Sequence, residues 1–231
     1  MAKNEEKKDL LENAEVLAEK VEGVEQWIER NPKIVIGLLG AIALIVGAYF
    51  GFRYWSGQQD DEAQKEMFQA VRYFEADSLD LAMNGDGNNL GFKQIIDDYS
   101  MTAAGNLANF YAGSICLKQG KFQLAIFYFE DFNVDDQLVQ ARAYSLMGDA
   151  YMEQKKYEEA ASYYNKAADE KPNKYFTPTY LMKAALAFEK SNQNEKAIKA
   201  YQRVIEEYFE STDYQNARKY KARLEGNAYP N

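Results

Sequence analysis

Histidine is absent from the 231 residues, and cysteine occurs once. The first absence removes the commonest general base and the commonest metal ligand. The second leaves no partner for an intrachain disulfide and too few thiolates for a zinc site. Proline is scarce, with 4 residues, so long helices can run uninterrupted. A cationic excess is missing as well: the net charge is −9 and the isoelectric point near 4.8. That argues against nucleic acid, which is held by clustered Lys and Arg, and against adsorption of the polar part onto anionic lipid. No Gly-rich phosphate loop or nucleophile motif occurs. The acidic pairs Asp97-Asp98, Glu158-Glu159 and Glu206-Glu207 are sequence neighbours, which do not face each other on a helix. No catalytic constellation, metal site or cofactor is expected. What is abundant is aromatic area for a core, from 18 Tyr and 13 Phe.

Charge is also missing, locally, from Ile34 to Phe52, a run of 19 residues reading IVIGLLGAIALIVGAYFGF. As a helix it extends about 28 Å, close to the hydrocarbon thickness of a bilayer. Asn31-Pro32 opens it, and proline at a first helical position loses no bond the helix needs. Arg53, Tyr54 and Trp55 close it with side chains suited to the headgroup zone. A transmembrane helix is therefore expected over 33–55, between an N-terminal tail (1–32) and a polar domain (56–231). The run is too long for a secretory signal, and bulky Phe52 to Trp55 stand where a cleavage site would need small residues. No cysteine follows to carry a lipid. An uncleaved anchor is the expectation. Charges within about 20 residues of the two ends balance, Lys20, Arg30 and Lys33 against Arg53, Lys65 and Arg72. A short tail before a long exported domain then gives a cytoplasmic N-terminus.

In the tail, Leu10, Ala14, Leu17, Val21, Val24 and Ile28 recur at spacings of 4 and 3, an a/d heptad seam. Nine carboxylates against six cations surround it, so the helix should not lie on an anionic leaflet. It is either a partner helix, in a homo-oligomer or against another protein, or a solvated helix weakened by Gly23.

Beyond the anchor the sequence repeats itself. From Ala141 to Lys174, Gly148, Tyr151, Ala160, Tyr164, Ala167 and Pro172 stand at positions 8, 11, 20, 24, 27 and 32. Small residues at 8 and 20 let two antiparallel helices approach, the rings fill their seam, and the proline ends the second helix. This resembles the tetratricopeptide pattern. Upstream, Gly113, Cys116, Ala125, Phe129 and Phe132 occupy the first five of these sites; downstream, Ala185, Phe188, Ala197, Tyr201 and Val204 do. Phe92 to Tyr99 (FKQIIDDY) mirrors Tyr201 to Tyr208 (YQRVIEEY), marking an eroded earlier unit with a first helix from about Asp60 to Leu81. An all-α fold is expected: one transmembrane helix plus a tetratricopeptide-repeat α-solenoid. Its repeats fall at about 60–100, 106–140, 141–174 and 178–211, with a cap over 212–231 whose helix Ala217 to Leu224 gives a polar outer face. Cys116 at a seam position reads as a small hydrophobe.

In such repeats positions 2, 5, 9 and 12 face a concave protein-binding groove. Here they are Leu107, Phe110, Ser114 and Leu117; Arg142, Ser145, Asp149 and Met152; and Thr179, Met182 and Leu186. Apolar, Met-containing and nearly uncharged, they suit apolar segments of varied sequence. Phe110 and Ser114 replace the Lys and Asn that clamp a terminal carboxylate in chaperone-binding grooves. Leu107 and Phe110 could instead pack against the eroded repeat.

The order of parts, and above all the anchor exit GFRYWSGQQDDEAQ (Gly51 to Gln64), resembles the YfgM family of ancillary Sec translocon subunits. The resemblance implies a bacterial inner-membrane protein with a cytoplasmic tail and a periplasmic repeat domain. It also implies association with the SecYEG translocon and the membrane-anchored chaperone PpiD, and help to exported polypeptides. A self-associating scaffold for another envelope assembly is the alternative, and the tail separates the two. Charged substitutions at Leu17 and Val21 are expected to abolish oligomers and function together if the seam drives a scaffold. They leave the oligomeric state unchanged, by light scattering of the detergent-solubilised chain, if the tail helix is solvated.

Overall fold

The structure, a computed structural model, describes residues 29–226. The tail positions Leu10, Ala14, Leu17, Val21, Val24 and Ile28 lie outside the described residues. The chain divides into two units, one ending at Ser56 and the other beginning at Gly57. Ten helices are described between Pro32 and Leu224.

Helix α1 (Pro32–Glu75) contains the whole expected span. Its apolar stretch keeps its side chains exposed, with Leu44 at 76%. It is long and apolar enough to cross a membrane, and none of its most apolar window is buried by protein. A core helix of a soluble domain would be covered.

In the second unit, helices follow as α2 (Leu79–Asn84), α3 (Phe92–Asp98), α4 (Ala103–Lys118) and α5 (Phe122–Asp131). They continue as α6 (Gln137–Glu153), α7 (Tyr157–Glu170), α8 (Thr177–Lys190), α9 (Asn194–Glu207) and α10 (Tyr214–Leu224). From α2 onward packing is chiefly between consecutive helices, as in a repeat array. The core comprises four clusters strung along the chain.

The repeat is written in the backbone. Asp77, Gly120, Lys155 and Asn192 all have positive φ, between 56° and 73°. At each, two amides reach back into the preceding helix. Asp77 N–H donates to Phe74 O and Ser78 N–H to Tyr73 O; Lys155 N–H donates to Met152 O and Lys156 N–H to Tyr151 O. The same pair recurs at Gly120 and Asn192. This left-handed cap satisfies the last carbonyls of a helix and reverses the chain. Lys155 and Asn192 follow Gly120 at steps of 35 and 37 residues, the same steps that separate Gly113, Gly148 and Ala185 in the sequence.

The cap at Asp77 shows that the end of α1 is the first helix of the eroded repeat. Counting back seven residues from each cap gives Ala70, Gly113, Gly148 and Ala185, all buried. Counting forward five gives Ala82, Ala125, Ala160 and Ala197, all at 0% exposure. The expected helix from Asp60 to Leu81 is thus broken: α1 stops at Glu75 and α2 begins the second helix of the hairpin. That second helix is itself interrupted. Phe92 stands ten positions after Ala82, where in the other units the ring stands four positions after the small residue. The six-position excess is taken up by the 85–91 loop. There the Asp86 carboxylate accepts from Tyr73 Oη (2.7 Å) and from the amides of Asn88 and Asn89. Those donors, Tyr73 first, hold the Asp86 carboxyl well below its ordinary pKa. Gly85, at φ +81°, has no space for a side chain: a Cβ would stand 2.4 Å from Asn89 O.

Two further contacts tie α1 to the array. Asp60 Oδ1 accepts from Ala104 N–H (2.8 Å) while Thr102 Oγ1 accepts from Gly105 N–H, so two orphan donors of α4 are satisfied. Ala63, Met67 and Ala70 enter the same cluster as Phe92, Ile95 and Ala108.

The 8-to-24 contact sets how closely each hairpin closes. A Cβ on Gly148 would lie 2.6 Å from the Tyr164 ring, and one on Gly113 would lie 2.8 Å from Phe129. Tyr164 is only 3% exposed and its hydroxyl is hydrogen-bonded, so the ring cannot swing aside. Overpacking costs about 1–3 kcal/mol, more than the roughly 1 kcal/mol alanine gains over glycine in a helix. Gly148→Ala is therefore expected to lower stability by about 1 kcal/mol net. Gly57→Ala, with nothing within 4 Å of the added carbon, should be neutral or slightly stabilising. Thermal unfolding followed by circular dichroism compares the two.

Candidate functional site

The sequence-derived groove positions meet different fates. In α4, Leu107 is half-buried between the first and second clusters. Phe110 turns onto its own hairpin, its ring 5.3 Å from Phe132 and 6.0 Å from Phe129. Ser114 Oγ donates to Phe110 O at 2.8 Å, and Leu117 is half-buried on the second hairpin's core. In α6, Arg142 is exposed, Ser145 is fully buried, and Met152 packs against the core cluster that contains Ala160 and Ala184. Asp149 is half-buried at the centre of a polar cluster. Its carboxylate accepts from Tyr164 Oη at 2.7 Å and from Lys183 Nζ at 2.8 and 2.9 Å. The same ammonium reaches Ser145 Oγ at 3.5 Å.

In α8, Thr179, Met182 and Leu186 come together on the wall of one cavity of about 350 Å³. The remaining wall is Lys183 and Glu189 of α8, Tyr201 of α9, and Tyr220 and Arg223 of α10. Leu186 is 46% exposed, and Met182 rests on the last core cluster. The sequence pattern does not mark Lys183, Glu189, Tyr201, Tyr220 or Arg223. Tyr201 stands at a packing position, which says nothing of its hydroxyl, and the α10 residues read only as a solvated cap.

Every charge on this wall is paired. Lys183 bridges to Asp149, and Arg223 bridges to Glu189. Glu189 also accepts from Tyr201 Oη at 2.7 Å. The Arg223 guanidinium lies 5.3 Å from the Tyr220 ring centroid, a cation–π distance. The apolar part of this wall is consequently the Met182 and Leu186 side chains beside the Tyr220 ring, bordered by neutralised ion pairs. Arg142 adds charge farther along, and Thr179 Oγ1 donates to Asp213 at 3.0 Å. Cys116 is buried and free, and burial raises its thiol pKa, as for a small hydrophobe. Among the described residues no group of three His, Cys, Asp or Glu side chains is placed to hold a metal ion.

The described residues thus form an all-α protein with one long apolar helix and a helical-repeat region of the protein-binding class. A tetratricopeptide repeat family model matches residues 139–206, which run from α6 to the end of α9. No curated protein matches the chain.

Burial, and then the neighbouring carboxylates, raise the Tyr164 and Tyr201 hydroxyls far above the ordinary tyrosine value. Burial pushes Tyr163 up to about 12. Their folded pKa values exceed the unfolded value of about 10, so the stability they contribute is complete below that pH. It is lost as pH climbs above it, because the unfolded chain ionises first. Alkaline titration followed by tyrosinate absorbance should show a late set of tyrosines ionising together with loss of helical circular dichroism. Uniform ionisation with helix intact would contradict the hydrogen-bonded arrangement.

Proposed function

We propose that the chain is a membrane-anchored adaptor whose repeat unit binds apolar polypeptide segments in the cavity between α8, α9 and α10. The observation that carries this reading is the wall itself: exposed Leu186 and half-buried Met182 beside Tyr220, with each flanking charge already paired. A ligand charge entering there would find no unpaired counter-charge and would lose hydration. An apolar side chain would gain by burial at about 25 cal/mol per Å². Thioether and leucine surfaces adapt to different shapes, which suits a binder of many sequences.

The anchor supports a site beside a membrane. The likeness of Gly51 to Gln64 to the YfgM family supports a more particular setting: the Sec translocon of a bacterial inner membrane. In that setting the tail is cytoplasmic, the repeats are periplasmic, and the groove engages a PpiD-like chaperone or chains emerging from SecYEG. Enzymatic chemistry has no part in this reading.

Photocrosslinking residues placed at Met182 and Leu186 in membranes should capture translocon, chaperone or exported chains. Capture confined to unrelated envelope enzymes would overturn the translocon setting. Leu186→Glu with Met182→Glu should reduce capture by about tenfold or more, as expected for charging a central apolar contact.

A further inference from the structure

A second cavity, of about 320 Å³, lies where the start of α8 meets the α9–α10 connection. It shares no lining residue with the apolar groove; their walls touch through the Thr179–Asp213 hydrogen bond. Its chemistry is the reverse of the groove's. Tyr175, at 74% exposure, comes from the extra residues between the third and fourth repeats, and Phe209, at 65%, from the turn after α9. Both rings stand largely exposed at loop tips, and exposed apolar patches with polar rims mark interaction sites.

The rim carries an excess of negative charge. Glu207, Glu210 and Asp213 line the cavity, against a single cation, Lys174. Helix α9 ends at Glu207, so the negative end of its dipole adds to the same field. Glu207 is engaged by Arg203 at 3.4 Å, and Asp213 receives one hydrogen bond from Thr179. Glu210 has no ion pair or hydrogen bond among the described residues. Lys174 Nζ sits 5.4 Å from the Tyr175 ring centroid, so this ring already holds an ammonium at a cation–π distance and the Phe209 ring does not share it.

We propose that this cavity is a docking site for a polypeptide segment of a partner protein that presents a lysine or arginine beside an aromatic or aliphatic residue. The cation meets Glu210 and the exposed Phe209 ring, while the apolar neighbour covers Tyr175. Charge complementarity selects this occupant. An anionic lipid headgroup is disfavoured by three carboxylates against one ammonium.

The test uses the full chain in nanodiscs of zwitterionic lipid and a fluorescent peptide of alternating Lys and Phe. A control peptide carries Glu for Lys, and empty nanodiscs set the background. The Lys–Phe peptide should bind, more weakly as salt rises, and the Glu–Phe peptide should not. Glu210→Lys and Phe209→Ser, both at exposed positions, should each weaken binding about fivefold to tenfold with unchanged thermal unfolding. Leu186→Glu should leave it unchanged, separating this site from the groove. The proposal is overturned by equal binding of the two peptides, or by no effect of either variant. It is also overturned if Tyr175 and Phe209 are instead needed for binding anionic vesicles or for self-association of the chain by light scattering.

Discussion

The closeness of the two helices in each hairpin is set where a residue with little or no side chain meets an aromatic ring. Gly113 against Phe129 and Gly148 against Tyr164 bring backbone to ring at a separation no larger residue permits. Ala185 facing Tyr201 relaxes the same contact by one methyl group in the last unit. Once the helices are that close, the chain between them can reverse only tightly. A single residue in the left-handed region does this at Asp77, Gly120, Lys155 and Asn192. Only one of the four is glycine. For the other three the left-handed strain, about 1–2 kcal/mol, is offset by the two backbone hydrogen bonds that each cap makes.

Three of the four hairpins were legible in the sequence, because residue type alone marks their contacts. The first was legible only in its second half, the Phe92 to Tyr99 segment. Its other half is fused to the apolar run in one helix, where Ala63 and Ala70 look like ordinary helix formers. The loop around Asp86 displaces Phe92 from Ala82 by six positions and so hides the spacing on which the pattern depends. Backbone geometry recovered the match because the cap at Asp77 does not depend on side-chain identity.

The groove was less legible than the fold, for a related reason. Position numbers say which way a residue points, but not what its neighbours do. Phe110 turns onto its own hairpin, against Phe129 and Phe132. Ser145 is buried, with Lys183 reaching across from the next repeat. In α8 the apolar groove positions stay open, because the helix that follows the last repeat, α10, meets α9 through Ala217 and Tyr220 and leaves Leu186 uncovered.

An acidic protein can present an uncharged groove because its charges are spent locally. Asp149 takes Lys183 and the Tyr164 hydroxyl; Glu189 takes Arg223 and the Tyr201 hydroxyl. In both clusters a ring that closes a hairpin also turns its hydroxyl toward a carboxylate beside the groove. Packing and electrostatics are thereby joined in one residue. Replacing the ring would loosen the helix pair and free a carboxylate at the groove wall together. The stretch Lys174 to Phe176 and the turn at Phe209 lie outside this arrangement. There the acids keep their field and the rings remain uncovered, so the same repeat unit carries two surfaces of opposite character.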